Sequence, residues 1–170
     1  MPQVSTTEFK VWKTIKLGTG LINANGFRKA IEDAGMRIGD QANNILGKKE
    51  FTVFKEPTEV NLVVLTVAEL GFPKGAKLKG IYQAAKKRGL ELCSAEVGPQ
   101  LRIQYPDQPM GEWIVIVIGM EPIATSVGSL RLFIVGHYGT GQWLDGRCDS
   151  PGLVWRAVCH FVFVLPRKSR

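Results

Sequence analysis

Little in this chain of 170 residues points to a cofactor, a membrane or an export route. Cysteine is scarce: Cys93, Cys148 and Cys159 form an odd set with no close pair. That argues against a disulfide framework and fits a reducing compartment. Long apolar runs are missing as well. The longest, Trp113 to Ile118, is strand-sized, well below the roughly 20 residues that span a bilayer. The opening Met-Pro-Gln-Val-Ser-Thr-Thr-Glu has no basic stretch followed by an apolar one, so it does not read as a signal peptide. The expectation is a cytoplasmic protein without a membrane partner. No Cys-x-x-Cys, no Gly-x-Ser-x-Gly and no nucleic-acid-binding motif occurs. Gly18-Thr-Gly20 and Gly139-Thr-Gly141 are not followed by Gly-Lys-Ser/Thr, so both read as turns rather than phosphate loops. No cofactor is expected.

What is present is an ordinary globular composition, 45% apolar and 22% charged, with a net charge of +7. The length suits one well-buried domain. The basic excess is spread along the chain except between Lys74 and Arg88. Lys77, Lys79, Lys86, Lys87 and Arg88 fall there without an acid. A solvated helix face explains that run better than a nucleic-acid surface, which is the alternative reading.

Period-two alternation of Phe9, Val11, Ile15 and Leu17 predicts a half-exposed strand. Phe27, Ala30, Ile31 and Ala34 recur at helical spacing, with Asn23 or Asn25 as cap and Gly35 as terminator. A short helix is predicted from Gln41 to Leu46, capped by Asp40 and ended by Gly47. Phe51–Phe54 reads as a short strand and Val60–Thr66 as one buried on both faces. Thr66-Val-Ala-Glu69 has capping-box spacing. Ala76–Arg88 is the clearest helix, with Leu78, Ile81, Tyr82 and Ala85 inward. Leu101, Ile103 and Tyr105 alternate with Arg102 and Gln104, which predicts a strand. A turn over Pro106–Pro109 and a strand from Glu112 to Gly119 follow. Leu130–His137 and Gln142–Asp145 read as a hairpin, and Cys159–Leu165 as the last strand. The predicted fold is α+β: one domain over residues 1–170, with a mostly antiparallel sheet and two or three helices on one face. Residues 1–7 and 166–170 read as flexible ends.

Thr66-Val-Ala-Glu-Leu-Gly-Phe72, Gly89-Leu-Glu-Leu-Cys93, Ala95-Glu-Val-Gly-Pro-Gln-Leu-Arg102, Gln108-Pro-Met-Gly-Glu-Trp113 and Met120-Glu-Pro-Ile123 together resemble a family of small uncharacterised bacterial proteins. Trp143-Leu-Asp145 and Phe161-Val-Phe-Val164 extend the similarity over most of the chain. Ser94 stands where such sequences have proline. The resemblance implies a bacterial source and brings no catalytic residue or ligand.

Candidate chemistry concentrates between Cys93 and Ile123. Metal ligation by Cys93, His137, Cys148, Cys159 and His160 lacks ligand spacing, and no metal site is expected. A nucleophile pairing Cys148 with His137 or His160, and with Asp145 or Asp149, depends on spatial geometry that sequence does not give. No catalytic residue is assigned. Glu112 and Glu121 bracket a strand of roughly 30 Å, at about 3.3 Å per residue, too far apart for joint acid–base work. Glu96 and Arg102 read as a structural ion pair before a ligand clamp. Trp143 and Trp113 suit a pocket or a subunit interface, beside plain core packing. The sequence thus predicts a binding or interaction module more than an enzyme. Its expected ligand groove holds Glu96, Arg102, Tyr105, Trp113 and Trp143. Homo-oligomerisation, most simply a dimer, is expected from apolar strands with few charged residues on them, and a small organic ligand is the other expected partner.

Overall fold

The structure is a computed structural model and describes residues 9–111 and 115–167. Its elements run β1 (Lys13–Leu17), α1 (Ala24–Asp33), β2 (Arg37–Ile38), α2 (Asp40–Leu46), β3 (Thr58–Thr66), α3 (Leu78–Lys87), α4 (Val97–Gln104), β4 (Ile116–Ile118), β5 (Ile123–Ala124), β6 (Leu130–Tyr138), β7 (Gly141–Cys148) and β8 (His160–Leu165). The class is α+β, with the strands in one sheet of order β1-β3-β8-β4-β6-β7-β2 and β5 beside β6.

The sheet is mixed rather than mostly antiparallel, because β4 runs parallel to β8 and β2 parallel to β7. Among the described residues four helices, not two or three, accompany it, and they do not share a face. The Tyr82 ring of α3 meets Phe161 and Phe163 of β8 edge-on, at 6.5 and 5.9 Å between centroids. Gly98 of α4 packs instead on Phe133 of β6. Phe133 shares a face with Val135, which registers with Ile116 and then with His160. Side chains alternate along strands, so Phe161 and Phe163 point the other way. Helices α3 and α4 therefore cover opposite faces. That explains why the middle of β6, all of β4 and Phe161 to Phe163 of β8 are buried throughout.

Local chemistry sets most boundaries. Asn23 accepts from Gly26 N at 2.9 Å and caps α1. Beyond its end Gly35 takes φ +76°, which a side chain would strain. Thr66 and Glu69 exchange the two capping-box bonds, each 3.0 Å. Asp40 is the first residue of α2 rather than its cap. Gly39 holds that position, and no side chain bonds there. Phe51–Phe54 forms no strand, because Phe54 N donates to the Glu96 carboxylate rather than to a sheet neighbour. Arg167, expected in a flexible end, pairs with Glu59 at 3.4 Å. Residues 1–8 and 168–170, which hold most of the ends read as flexible, lie outside the described residues.

The largest correction concerns Leu101–Tyr105, which belongs to helix α4 and its C-terminal cap and not to a strand. Period-two alternation misleads here because Arg102 is fully buried while Ile103 and Tyr105 are only partly so. The helical signal lies in Glu96, Gln100 and Gln104, four residues apart along one stripe facing β1. Gln100 Nε2 donates to Glu96 at 3.0 Å and to Thr19 Oγ1 at 2.9 Å. Gln104 accepts from Lys16 N at 2.9 Å and donates to Lys16 O at 2.8 Å.

Candidate functional site

The residues expected to form a groove divide between two structural networks. Glu96, with no exposed surface, accepts from Gly18 N at 2.8 Å, from Phe54 N at 2.7 Å and from Gln100. It staples α4 to two loops and makes no ion pair with Arg102. Arg102 is equally buried and turns toward β6 and β7. Its Nη1 donates to Gln108 Oε1 at 2.7 Å, Gly136 O at 2.9 Å and Trp143 O at 3.3 Å, and its Nη2 to Tyr105 O at 2.8 Å. Nε has no partner among the described residues. Burial pushes the guanidinium down to about 10, so it stays charged at neutral pH. Carbonyl dipoles, rather than a carboxylate, hold that charge. Arg102 thus reaches Tyr105 and Trp143, but through their backbones.

The side chains of those two aromatics lie elsewhere. Tyr105 meets Trp12 edge-on at 5.2 Å, with Lys13 over its ring at 4.8 Å. Trp143 stacks under Arg37 and donates Nε1–H to Thr140 at 3.0 Å. It borders a shallow hollow with Arg28 and Asn43. Trp113, and the start of the strand expected from Glu112, lie outside the described residues. Lys77, Lys79, Lys86 and Lys87 line α3 or its approach, and Arg88 donates to Glu69 O at 2.9 Å. Neither His137, held 2.6 Å from Gln108 O, nor His160 hydrogen-bonds Cys148. That thiol shares a hydrogen bond with Ser129 Oγ at 3.7 Å. Among the described residues no cluster of three metal-ligating side chains forms.

A different site emerges from the topology. β7 and β8 are separated by β6 and β4, so residues 149–159 must cross the sheet to join them. They cross on the α3 side. Trp155 is buried, stands edge-on to Phe161 at 5.2 Å, and exchanges backbone bonds of 2.8 and 3.1 Å with Ala76. Its Nε1–H donates to Asp149 at 3.1 Å. Among the described residues α3 is the helix that packs on this face, at β8, and the crossing segment runs over the strands beside it. A cleft of about 360 Å³ lies there, lined by Val115, Tyr138, Arg147, Arg156, Val158 and Cys159 and bordered by His160 at the strand end. Gly136 makes room for the Tyr138 wall: a Cβ there would sit 2.6 Å from Tyr138 Oη, so only glycine lets that ring fold back along the sheet.

The electrostatics of this cleft are unusual for the molecule. Arg28 bonds Asn25 and Asn43, and Arg37 stacks on Trp143. Arg88 and Arg131 donate to carbonyls, Arg102 donates from both terminal nitrogens to protein oxygens, and Arg167 pairs with Glu59. Arg147 and Arg156 alone among the described arginines have no side-chain partner within the described residues. Both line the same cleft, and its described lining contains no carboxylate. Sequence reading missed this pair. The strand read from the sequence ends at Asp145, and Arg147 lies beyond that end, opposite Leu132 in the register of the structure. No family model matches the chain, and neither a curated protein nor a solved structure matches it.

Proposed function

We propose that the protein is a small-ligand binding module whose cleft takes up an anionic organic molecule between Arg147 and Arg156. One observation carries this reading: the two described arginines without a protein partner face one cavity. A guanidinium left unpaired at the wall of a partly apolar pocket is a ready donor for carboxylate or phosphate oxygens. Val115 and Val158 supply apolar contact and Tyr138 an aromatic wall, the usual mixture of a ligand pocket. The module acts by binding; no nucleophile–base pair is assigned to the cleft. The groove expected around Arg102 is replaced, since Arg102 spends its donors on the protein's own carbonyls.

The test is a thermal-shift screen with small organic acids on the wild-type chain and on Arg147→Gln. A concentration-dependent rise in Tm for the wild type, lost in the variant, supports the proposal. No rise with any acid, or a rise that survives the substitution, refutes it. The same samples weigh two rivals. Light scattering that finds a dimer whose formation depends on Val154 and Val158, both exposed on the crossing segment, would favour a self-association surface. Salt-dependent binding of duplex or single-stranded DNA, abolished by reversing Lys86 and Lys87, would favour the α3 face.

A further inference from the structure

The walls of the cleft also bear on the class of its ligand, an inference that rests on the anion-binding proposal. We infer that the ligand is a compact dianion: either an organic phosphomonoester or a dicarboxylate whose two charges are met by Arg147 and Arg156 from opposite walls. Arg147 rises from the sheet on β7, on the same face as Leu132 and Ile134 by register and alternation. Arg156 comes from the segment that crosses above. Trp155, the residue before it, fixes that segment by its bonds to Ala76 and Asp149. The two guanidinium groups are therefore carried by separate, anchored parts of the fold. They are not neighbours on one flexible loop.

Charge decides the class. An arginine is charged at every physiological pH, so the cleft presents two positive charges that its described lining does not offset. A monoanion engages one guanidinium and forgoes the charged hydrogen bonds that the other offers. A dianion satisfies both. A cleft of about 360 Å³ that opens to solvent seats a phosphate or paired carboxylates on a small ring or short chain. The ligand's body would lie against Val115, Val158 and the Tyr138 ring.

The experiment is calorimetric titration at pH 8 with four probes: phenyl phosphate, phthalate, benzoate and inorganic phosphate. Phenyl phosphate or phthalate is expected to bind at least about tenfold more tightly than benzoate, the value of one additional charged hydrogen bond. Whichever of the two binds better identifies the source of the double charge. Inorganic phosphate, which has no body, is expected to bind more weakly than phenyl phosphate. Arg147→Gln and Arg156→Gln should each weaken the dianion about tenfold or more while bringing it level with benzoate. Both side chains lack protein partners, so neither variant should lose stability, and an unchanged Tm without ligand checks this. If benzoate binds as well as both dianions and only one arginine matters, the dianion inference falls while the anion-binding proposal stands. If no probe binds, both fall together.

Discussion

Replacing Glu96 with glutamine isolates the buried carboxylate staple, because the two side chains have nearly the same shape. In the native chain the two carboxylate oxygens take three donors: Phe54 N at 2.7 Å, Gly18 N at 2.8 Å and Gln100 Nε2 at 3.0 Å. An amide keeps one acceptor oxygen, so it can still serve one side. Its NH2 must then face donors on the other side, which leaves at least one bond and as many as two unmade. Hydrogen bonds to a charged acceptor contribute about 1.5–3 kcal/mol each, so the loss is about 4 kcal/mol after some relaxation. At a urea slope of about 2 kcal/mol per molar, the unfolding midpoint should fall by roughly 2 M. Glu56→Gln, on an exposed carboxylate, controls for net charge and should stay within about 0.5 kcal/mol of wild type. An E96Q midpoint within about 0.5 M of wild type would show that these three bonds do not hold α4 to the two loops.

Other expectations come from close contacts and from titration. Gly98→Ala places a methyl 2.6–2.8 Å from Phe133, so it should lower stability by about 1–3 kcal/mol despite alanine's better helix propensity, measurable by the same urea titration. Gly136→Ala should displace the Tyr138 ring and weaken ligand uptake with both arginines intact, which calorimetry would register. Burial raises the Cys93 thiol and the Tyr82 phenol above their ordinary values of 9.0 and 10.0. Both groups are neutral when protonated, so above about pH 9 the unfolded chain releases protons that the folded chain keeps. Stability should be full below that pH and decline as pH rises past it. Tyr82→Phe should flatten the upper part of that decline, at a cost near pH 7 of about 1 kcal/mol for the lost bond to Met120 O.

Sequence patterns revealed the local features and missed those created by long-range pairing. Asn23, Gly35 and the Thr66–Glu69 box act within a few residues, so spacing alone located them. The hairpin of β6 and β7 was legible for the same reason, although it extends past Asp145 to Cys148. Helix α4 was not legible, because Glu96, Gln100 and Arg102 are buried polar residues that a hydrophobicity pattern counts as outward, while Ile103 and Tyr105 are only partly buried. The parallel pairing of β4 with β8 joins residues more than 40 apart, and nothing nearby in sequence announces it. The cleft depends on that strand order. Arg147 and Arg156 are close in sequence, yet they face one cavity only because the chain between them has to cross back over two strands.

The contact between Gln104 and Lys16 has a consequence for how the protein behaves in a crowd. A glutamine side chain carries the same amide donor and acceptor as a peptide unit, so at this position β1 has already found its outer neighbour, in the form of a helix. An extended peptide seeking to lengthen the sheet from that side meets an occupied seat. Truncating Gln104 would reopen it, and the first sign of damage would be fibrous or amorphous self-assembly rather than loss of ligand.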